Sequence, residues 1–275
     1  MRHRVGVASE SAPDALARAD ARRGGPRLGG MARPNGVVIV SERFWAFATT
    51  SGELREGTMP ASTRLSARIP LVRGLVQLGS SLRPLLSGGG VAGGGERIFL
   101  LAALVAPLFL VSRLPVALQA PFVAAVSILL VAWLMRGRTL RLHGAEHRAI
   151  GAAERGLLVA TWAGDVRPSR FAPRCGTNFA ALAFPITVLV ERLWPVAALP
   201  ALPALSGALV AVLSLGATME LWKAVQHPSG WLRGLLLPGL ALQRLTTREP
   251  TLDETRVALR ATASVLRREL ETPAA

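Results

Sequence analysis

A chain of 275 residues that is 51% hydrophobic, with a mean hydropathy of +0.38, is too apolar for an ordinary soluble domain. Its net charge of +15 comes from 32 Lys+Arg against 17 Asp+Glu, with Lys223 the only lysine. Long apolar runs beside that charge point to anionic lipid as the partner rather than nucleic acid. Cys175 is the only cysteine, which excludes an internal disulfide.

Residues 1–27 are rich in Arg, Ala, Ser and Gly, carry acids and lack a sustained apolar core. They are expected to be a disordered tail and not a secretory signal peptide. Residues 28–96 read as a cytoplasmic segment in three parts. Asn35 to Leu54, "NGVVIVSERFWAFATTSGEL", is β-branched and aromatic and predicts a strand pair or a three-stranded sheet. Arg68 to Leu86 places Leu71, Val72, Leu75, Leu78 and Leu82 at helical spacing with Arg73 and Arg83 at the edge, the pattern of an amphipathic helix on a membrane surface. Ser87 to Glu96, "SGGGVAGGGE", reads as a flexible linker.

Four apolar runs follow. Ile98 to Ser112 and Pro115 to Met135 are separated by Arg113 and Leu114; Gly176 to Val190 and Leu193 to Met219 are separated by Glu191 and Arg192. A span takes about 20 residues, so the second and fourth qualify outright, while the first and third are marginal. The expected fold is therefore mainly α and integral to a membrane. It has two transmembrane helical hairpins (97–135 and 176–219), a small N-terminal β element, and amphipathic helices on the cytoplasmic side. Residues 1–97 carry 14 Arg against 7 acids, 136–174 carry 8 Arg against 3, and 220–275 carry 8 Lys+Arg against 6. Basic segments stay inside. Both termini and the 136–175 loop are thus expected on the cytoplasmic face of a bacterial inner membrane. A soluble protein with buried helices is the competing reading. The C-terminal segment, 220–275, holds a helix start at Thr251 with Asp253 and Glu254 in its first turn, expected to be a solvated amphipathic helix.

The chemistry lies in the central loop, "RLHGAEHRAIGAAER". On a helix His143 and His147 share one face, and Glu146 lies beside them. Two imidazoles four apart can bind one zinc ion, with the carboxylate as general base; the order His-x-x-Glu-His is that of the inverted zinc-protease motif. Glu154 returns to the same face after two and three turns if the helix survives Gly151. Cys175, beside Arg174 and at the start of the third run, suits a thiolate ligand. The plain alternatives stay open: histidines of a surface helix meeting headgroups, an exposed Glu154, a small buried Cys175. Glu220, closing the fourth run, could approach the loop or be an end charge balanced by Lys223. His227 has no patterned partner and is set aside.

The segments "HGAEHRAI", "PRCGTNF", "PGLALQRLTTREP" (Pro238 to Pro250), "PLVRGLVQL" (Pro70 to Leu78) and Gly29-Gly30 resemble, in this order, the bacterial DUF1385 membrane proteins. The resemblance runs from about Leu28 to Leu266. It implies a metal-dependent enzyme whose site residues carry over to His143, Glu146, His147, Glu154 and Cys175, with Glu220 further off and Arg174 and Thr177 beside the cysteine. Thr246, Thr247 and Pro250 match its Thr-Thr-x-x-Pro element. Two positions depart from the pattern: Ala172 stands where the family often has histidine, and Gly29-Gly30 leads into "MARPNGVVIV" instead of a Glu-Gly-Val-Met-Met run.

Three functions follow as expectations. The first is a zinc-type membrane hydrolase with an unknown substrate. The second is a membrane scaffold or transport component folded around a structural ion; the spans carry no internal acid or base, which argues against an ion-coupled pathway. The third is a basic lipid- or RNA-binding module, for which aromatic residues, at 5%, are sparse.

Overall fold

The computed structural model describes residues 10–22, 24–60, 69–86, 91–193, 203–226 and 231–272. In chain order the elements are helix α1 (Ala12–Asp20), strands β1 (Gly29–Arg33), β2 (Gly36–Val40), β3 (Phe44–Thr49) and β4 (Leu54–Thr58), then helices α2 (Val72–Leu86), α3 (Gly94–Leu110) and α4 (Val116–Leu134). There follow α5 (Thr139–Ala153), α6 (Leu158–Ala163), α7 (Gly176–Leu193), α8 (Pro203–Val225), α9 (Leu237–Thr246) and α10 (Leu252–Glu271). The chain folds as two compact units. One combines residues 1–59, 141–170 and 249–275; the other combines 60–140 and 171–248.

The first unit is built on an antiparallel meander in the order β1-β2-β3-β4. Pro34 and Asn35 make the tight turn between β1 and β2, where Gly36 pairs back with Arg33. Gly36 is needed there, because a Cβ would lie 2.3 Å from the carbonyl oxygen of Ala48. Val37, Val38 and Ile39 of β2 and Ala46 and Phe47 of β3 are almost fully buried, each large side chain contributing about 1.5–3 kcal/mol by leaving water. The sheet has one strand more than expected, since β1 ("GGMAR") lacks the β-branched signal. Helix α10 packs on β2 and β3. Its start is the one read from sequence: the Thr251 hydroxyl accepts from the Glu254 N–H at 3.2 Å and the Glu254 carboxylate accepts from the Thr251 N–H at 2.9 Å. Its expected solvation is corrected, because Val257, Ala258, Leu259, Ala261, Val265 and Leu266 are buried in the core.

The tail is corrected as well. Residues 12–20 form a helix capped by the Ser11 side chain, with Leu16 fully buried and α1 packed on α10 and α6. The Asp20 carboxylate accepts from the N–H groups of Leu158 and Val159 at 3.0 and 2.9 Å, fixing the start of α6. Composition hid this helix because its apolar face is made largely of alanine. The first nine residues of the expected tail lie outside the described residues.

In the second unit α7 packs on α8, α9 on α7, and α2 on α8. Small residues permit the last contact: a Cβ on Gly74 would lie 2.6 Å from Met219 Cβ, and one on Gly216 would lie 2.9 Å from Leu71 Cβ. The amphipathic helix α2 is present from Val72, and the glycine linker gives way to helix α3 already at Gly94; residues 87–90 lie outside the described residues, as do 194–202 of the fourth apolar run. Among the described residues two helices are long and apolar enough to cross a membrane, over Ala117–Leu134 in α4 and Gly207–Val225 in α8. The other two runs, on α3 and α7, do not reach that length and apolarity. Large apolar side chains nonetheless face outward on both, Ile98 at 70% exposure and Phe184 at 75% among them.

Candidate metal centre

Helix α5 carries the central motif. Leu142, Ala145, Ala149 and Ala152 recur at helical spacing and are fully buried, anchoring one face in the core of the first unit. The neighbouring face presents His143, Glu146 and His147, which are also buried, at 9%, 6% and 2% exposure. These are not histidines of a surface helix. Their rings stand edge to face with centroids 4.4 Å apart, the proximity expected of residues one turn apart.

His147 is held by the loop that follows α6. Its Nδ1 lies 2.6 Å from the carbonyl oxygen of Arg170, so Nδ1 bears the hydrogen and donates it. The other nitrogen, Nε2, is buried and has no hydrogen-bond partner. Burial of an unpaired polar atom is costly, and a neutral imidazole whose far N–H is tied to a carbonyl is the usual state of a metal-bound histidine. Arg148 fixes the same loop, its Nε donating to the Pro168 carbonyl at 3.0 Å while its guanidinium pairs with Glu249 at 2.6 Å.

Glu146 projects against β1. A Cβ on Gly30 would lie 2.7 Å from Glu146 Cγ, so only glycine leaves room for the carboxylate. Burial pushes the Glu146 carboxyl up to about 7, opposed by the charge of His143 and a hydrogen bond from the Ala32 backbone. This gives Gly30, a bare motif letter in the sequence, a physical role.

Glu154 is exposed and Glu220 is ion-paired. Helix α5 ends at Ala153; Gly156 turns left-handed at φ 64° and the Leu157 N–H returns to the Ala152 carbonyl at 3.0 Å. Glu154 lies just past this end, exposed, and is not among the donors that could share an ion with the histidines. Glu220 sits in α8 and forms a forked ion pair with Arg73 of α2, its Oε1 accepting from Nε at 2.8 Å, with Lys223 at 4.0 Å. It serves the packing of α2 on α8.

In the second unit Cys175 is buried at the start of α7. Its Sγ accepts from the Thr177 hydroxyl at 3.2 Å and the Thr177 N–H at 3.4 Å, which assigns Thr177 to the sulfur, while Arg174 is half-buried beside it. Asn178 and Gln243 were not singled out by sequence reasoning, yet both fasten the turn ahead of the cysteine, by hydrogen bonds to Ala172 and Pro173. Their signal was their position inside the "CGTNF" and "LALQRLTTREP" motifs. His143 and His147 thus offer two buried imidazoles in the first unit and Cys175 a buried sulfur in the second; imidazole and thiolate are donors that suit zinc.

A family model described as a protein of unknown function, DUF1385, matches residues 101–268. The chain is 31% identical over 176 residues to an uncharacterized protein, YqhQ, of Bacillus subtilis (strain 168); the match covers 62% of this chain and 54% of that protein. The chain thus spans about half the length of this curated relative. No solved structure matches.

Proposed function

We propose that this chain, which belongs to the DUF1385 family, is a metal-dependent hydrolase of the cytoplasmic membrane surface. His143, His147 and Cys175 are the assigned ligands, zinc is the assigned metal, and Glu146 is the assigned general base. The single observation that carries the reading is the buried, unpartnered Nε2 of His147 beside a fixed Nδ1. Cys175 follows Arg170, whose carbonyl is bound to His147, by five residues in the chain.

Three protein ligands are the number used by catalytic zinc sites, and a fourth would close the site. With Glu154 exposed just past the end of α5, the proposed set among the described residues is three. A divalent ion bound there would acidify a water molecule and polarise a carbonyl or phosphoryl oxygen. Glu146 is the carboxylate held beside these histidines, and its task would be to take and return a proton.

The membrane placement is part of the proposal. The two long apolar helices support it, together with the outward apolar side chains of α3 and α7 and the arginine excess of 1–97 and 136–174. In this reading the protein is multi-pass with both termini cytoplasmic, the bilayer is its partner, and nucleic acid is not. A second reading, a scaffold or transport component around a structural ion, is favoured by the burial of all three donors.

The test is the metal content of detergent-purified protein, wild type against His143→Ala, His147→Ala, Cys175→Ala and Glu146→Gln. Wild type is expected to carry one metal and the three ligand variants to lose it. Absence of stoichiometric metal from wild type would end both readings. Glu146→Gln separates them: metal kept with the cellular phenotype lost supports the enzyme, and metal and phenotype both kept support the scaffold.

A further inference from the structure

The second unit contains a device acting on one short turn of backbone, Ala172–Pro173. Gln243 of α9 is fully buried, and its side-chain amide pairs with both polar atoms of Ala172: Nε2 donates to the Ala172 carbonyl at 2.8 Å and Oε1 accepts from the Ala172 N–H at 2.9 Å. Asn178 of α7, 1% exposed, donates from Nδ2 to the same carbonyl at 3.0 Å and to that of Pro173 at 2.7 Å. The turn so held runs directly into Cys175, whose own N–H points back to the Ala172 carbonyl at 3.4 Å.

The clamp is itself braced. Gly239 stands one turn before Gln243 on α9, and a Cβ there would lie 2.1 Å from Asn178 Oδ1, so the two helices meet with only a hydrogen between them. After Gln243 the helix closes on it: the Thr247 hydroxyl and N–H both return to the Gln243 carbonyl, at 2.7 and 2.9 Å. The Arg248 N–H then reaches the Leu140 carbonyl at 2.8 Å. Two buried amides spent on one turn exceed what a surface loop between helices needs, since such loops satisfy their backbone with water.

We infer that Gln243 and Asn178 are positioning residues for Cys175, fixing the thiol as a metal ligand by gripping the Ala172–Pro173 peptide ahead of it. This rests on the assignment of Cys175 as a ligand. The grip is on the backbone, and the Ala172 side chain is not part of it. Residues that orient a metal ligand from behind typically change affinity by about 10–100-fold when lost.

The experiment uses the full-length protein in detergent, loaded with zinc for affinity by chelator competition and with cobalt for the sulfur-to-metal absorption band, which reports the thiolate–metal bond alone. The variant is Gln243→Met, which keeps the buried volume and removes every amide hydrogen bond. The expected result is zinc binding weaker by about 10–100-fold, with the thiolate band lost or shifted and the histidine-bound cobalt spectrum retained. Wild-type affinity and an unchanged band in folded Gln243→Met would overturn the inference. If that variant does not fold, Gln243→Glu decides, because it keeps the acceptor for the Ala172 N–H and loses the donor: an intermediate affinity with a shifted band supports the clamp, and wild-type values overturn it. A wild type that binds metal without a thiolate band shows instead that Cys175 is no ligand, and the assignment beneath the inference has failed.

Discussion

His147 donates from Nδ1 to the carbonyl oxygen of Arg170 across 2.6 Å, and this one bond decides what the ring can do. It leaves Nε2 inside the protein and without a hydrogen-bond partner. A histidine placed to fill a core would instead be satisfied at both nitrogens.

From this follows a linkage prediction. A ligand that binds only the folded state stabilises it, by about 2.7 kcal/mol at a hundredfold excess over its dissociation constant. Zinc should therefore raise the thermal unfolding midpoint of the purified protein and a chelator should lower it. His147→Ala should abolish the difference. Equal midpoints with zinc and with chelator in wild type would contradict the site.

Carboxylates outside the donor set should be indifferent to metal. Glu154 is exposed beyond the end of α5 and Glu220 is engaged by Arg73, so Glu154→Gln and Glu220→Gln should retain wild-type metal stoichiometry. Loss of metal from Glu154→Gln would restore it as a ligand and with it the closed, structural form of the site.

Local pattern stops short at Glu154. The histidine pair, Cys175 and the α10 capping box are local patterns, set within one or two helical turns, and they were legible. Glu154 follows α5 directly, its N–H on the Ile150 carbonyl at 3.0 Å, yet its side chain is exposed, and exposure at a helix end depends on the backbone turn that follows, here at Gly156. The burial of α10 and the order in residues 12–20 depend on packing between segments more than two hundred residues apart. Alanine-rich faces carry little hydrophobic signal to announce that packing. The role of Gln243 is likewise tertiary: nothing in its neighbours indicates a peptide group 71 residues away.

The Glu146 carboxyl predicts a pH dependence for the metal-free protein. Its folded value, about 7, lies above the ordinary 4.5 because burial disfavours the charge. The folded state therefore holds this proton more tightly than the unfolded state does. The resulting stabilisation is complete below the ordinary value, declines as pH rises from 4.5 towards 7, and is gone above it. The whole effect is on the order of a few kcal/mol. Unfolding midpoints of chelator-treated protein should fall across that window in wild type and fall much less in Glu146→Gln. The same slope in both would move the titration to another group.

Gly30 forms the wall behind that carboxylate. A methyl group on Gly30 would sit 2.7 Å from Glu146 Cγ and 2.9 Å from its Cδ and Oε1, closer than any real contact. The side chain cannot simply swing aside, since it is packed between α5 and β1 and only 6% exposed. Overpacking of this kind costs about 1–3 kcal/mol, so Gly30→Ala should lower the unfolding midpoint. Shortening the opposing side chain removes the clash, and Glu146→Ala should therefore be less damaging in the Gly30→Ala background than in wild type. Such non-additivity is the mark of direct contact, because distant substitutions add. Additive effects of the two substitutions would mean that Gly30 is needed for the strand and not for the carboxylate it faces.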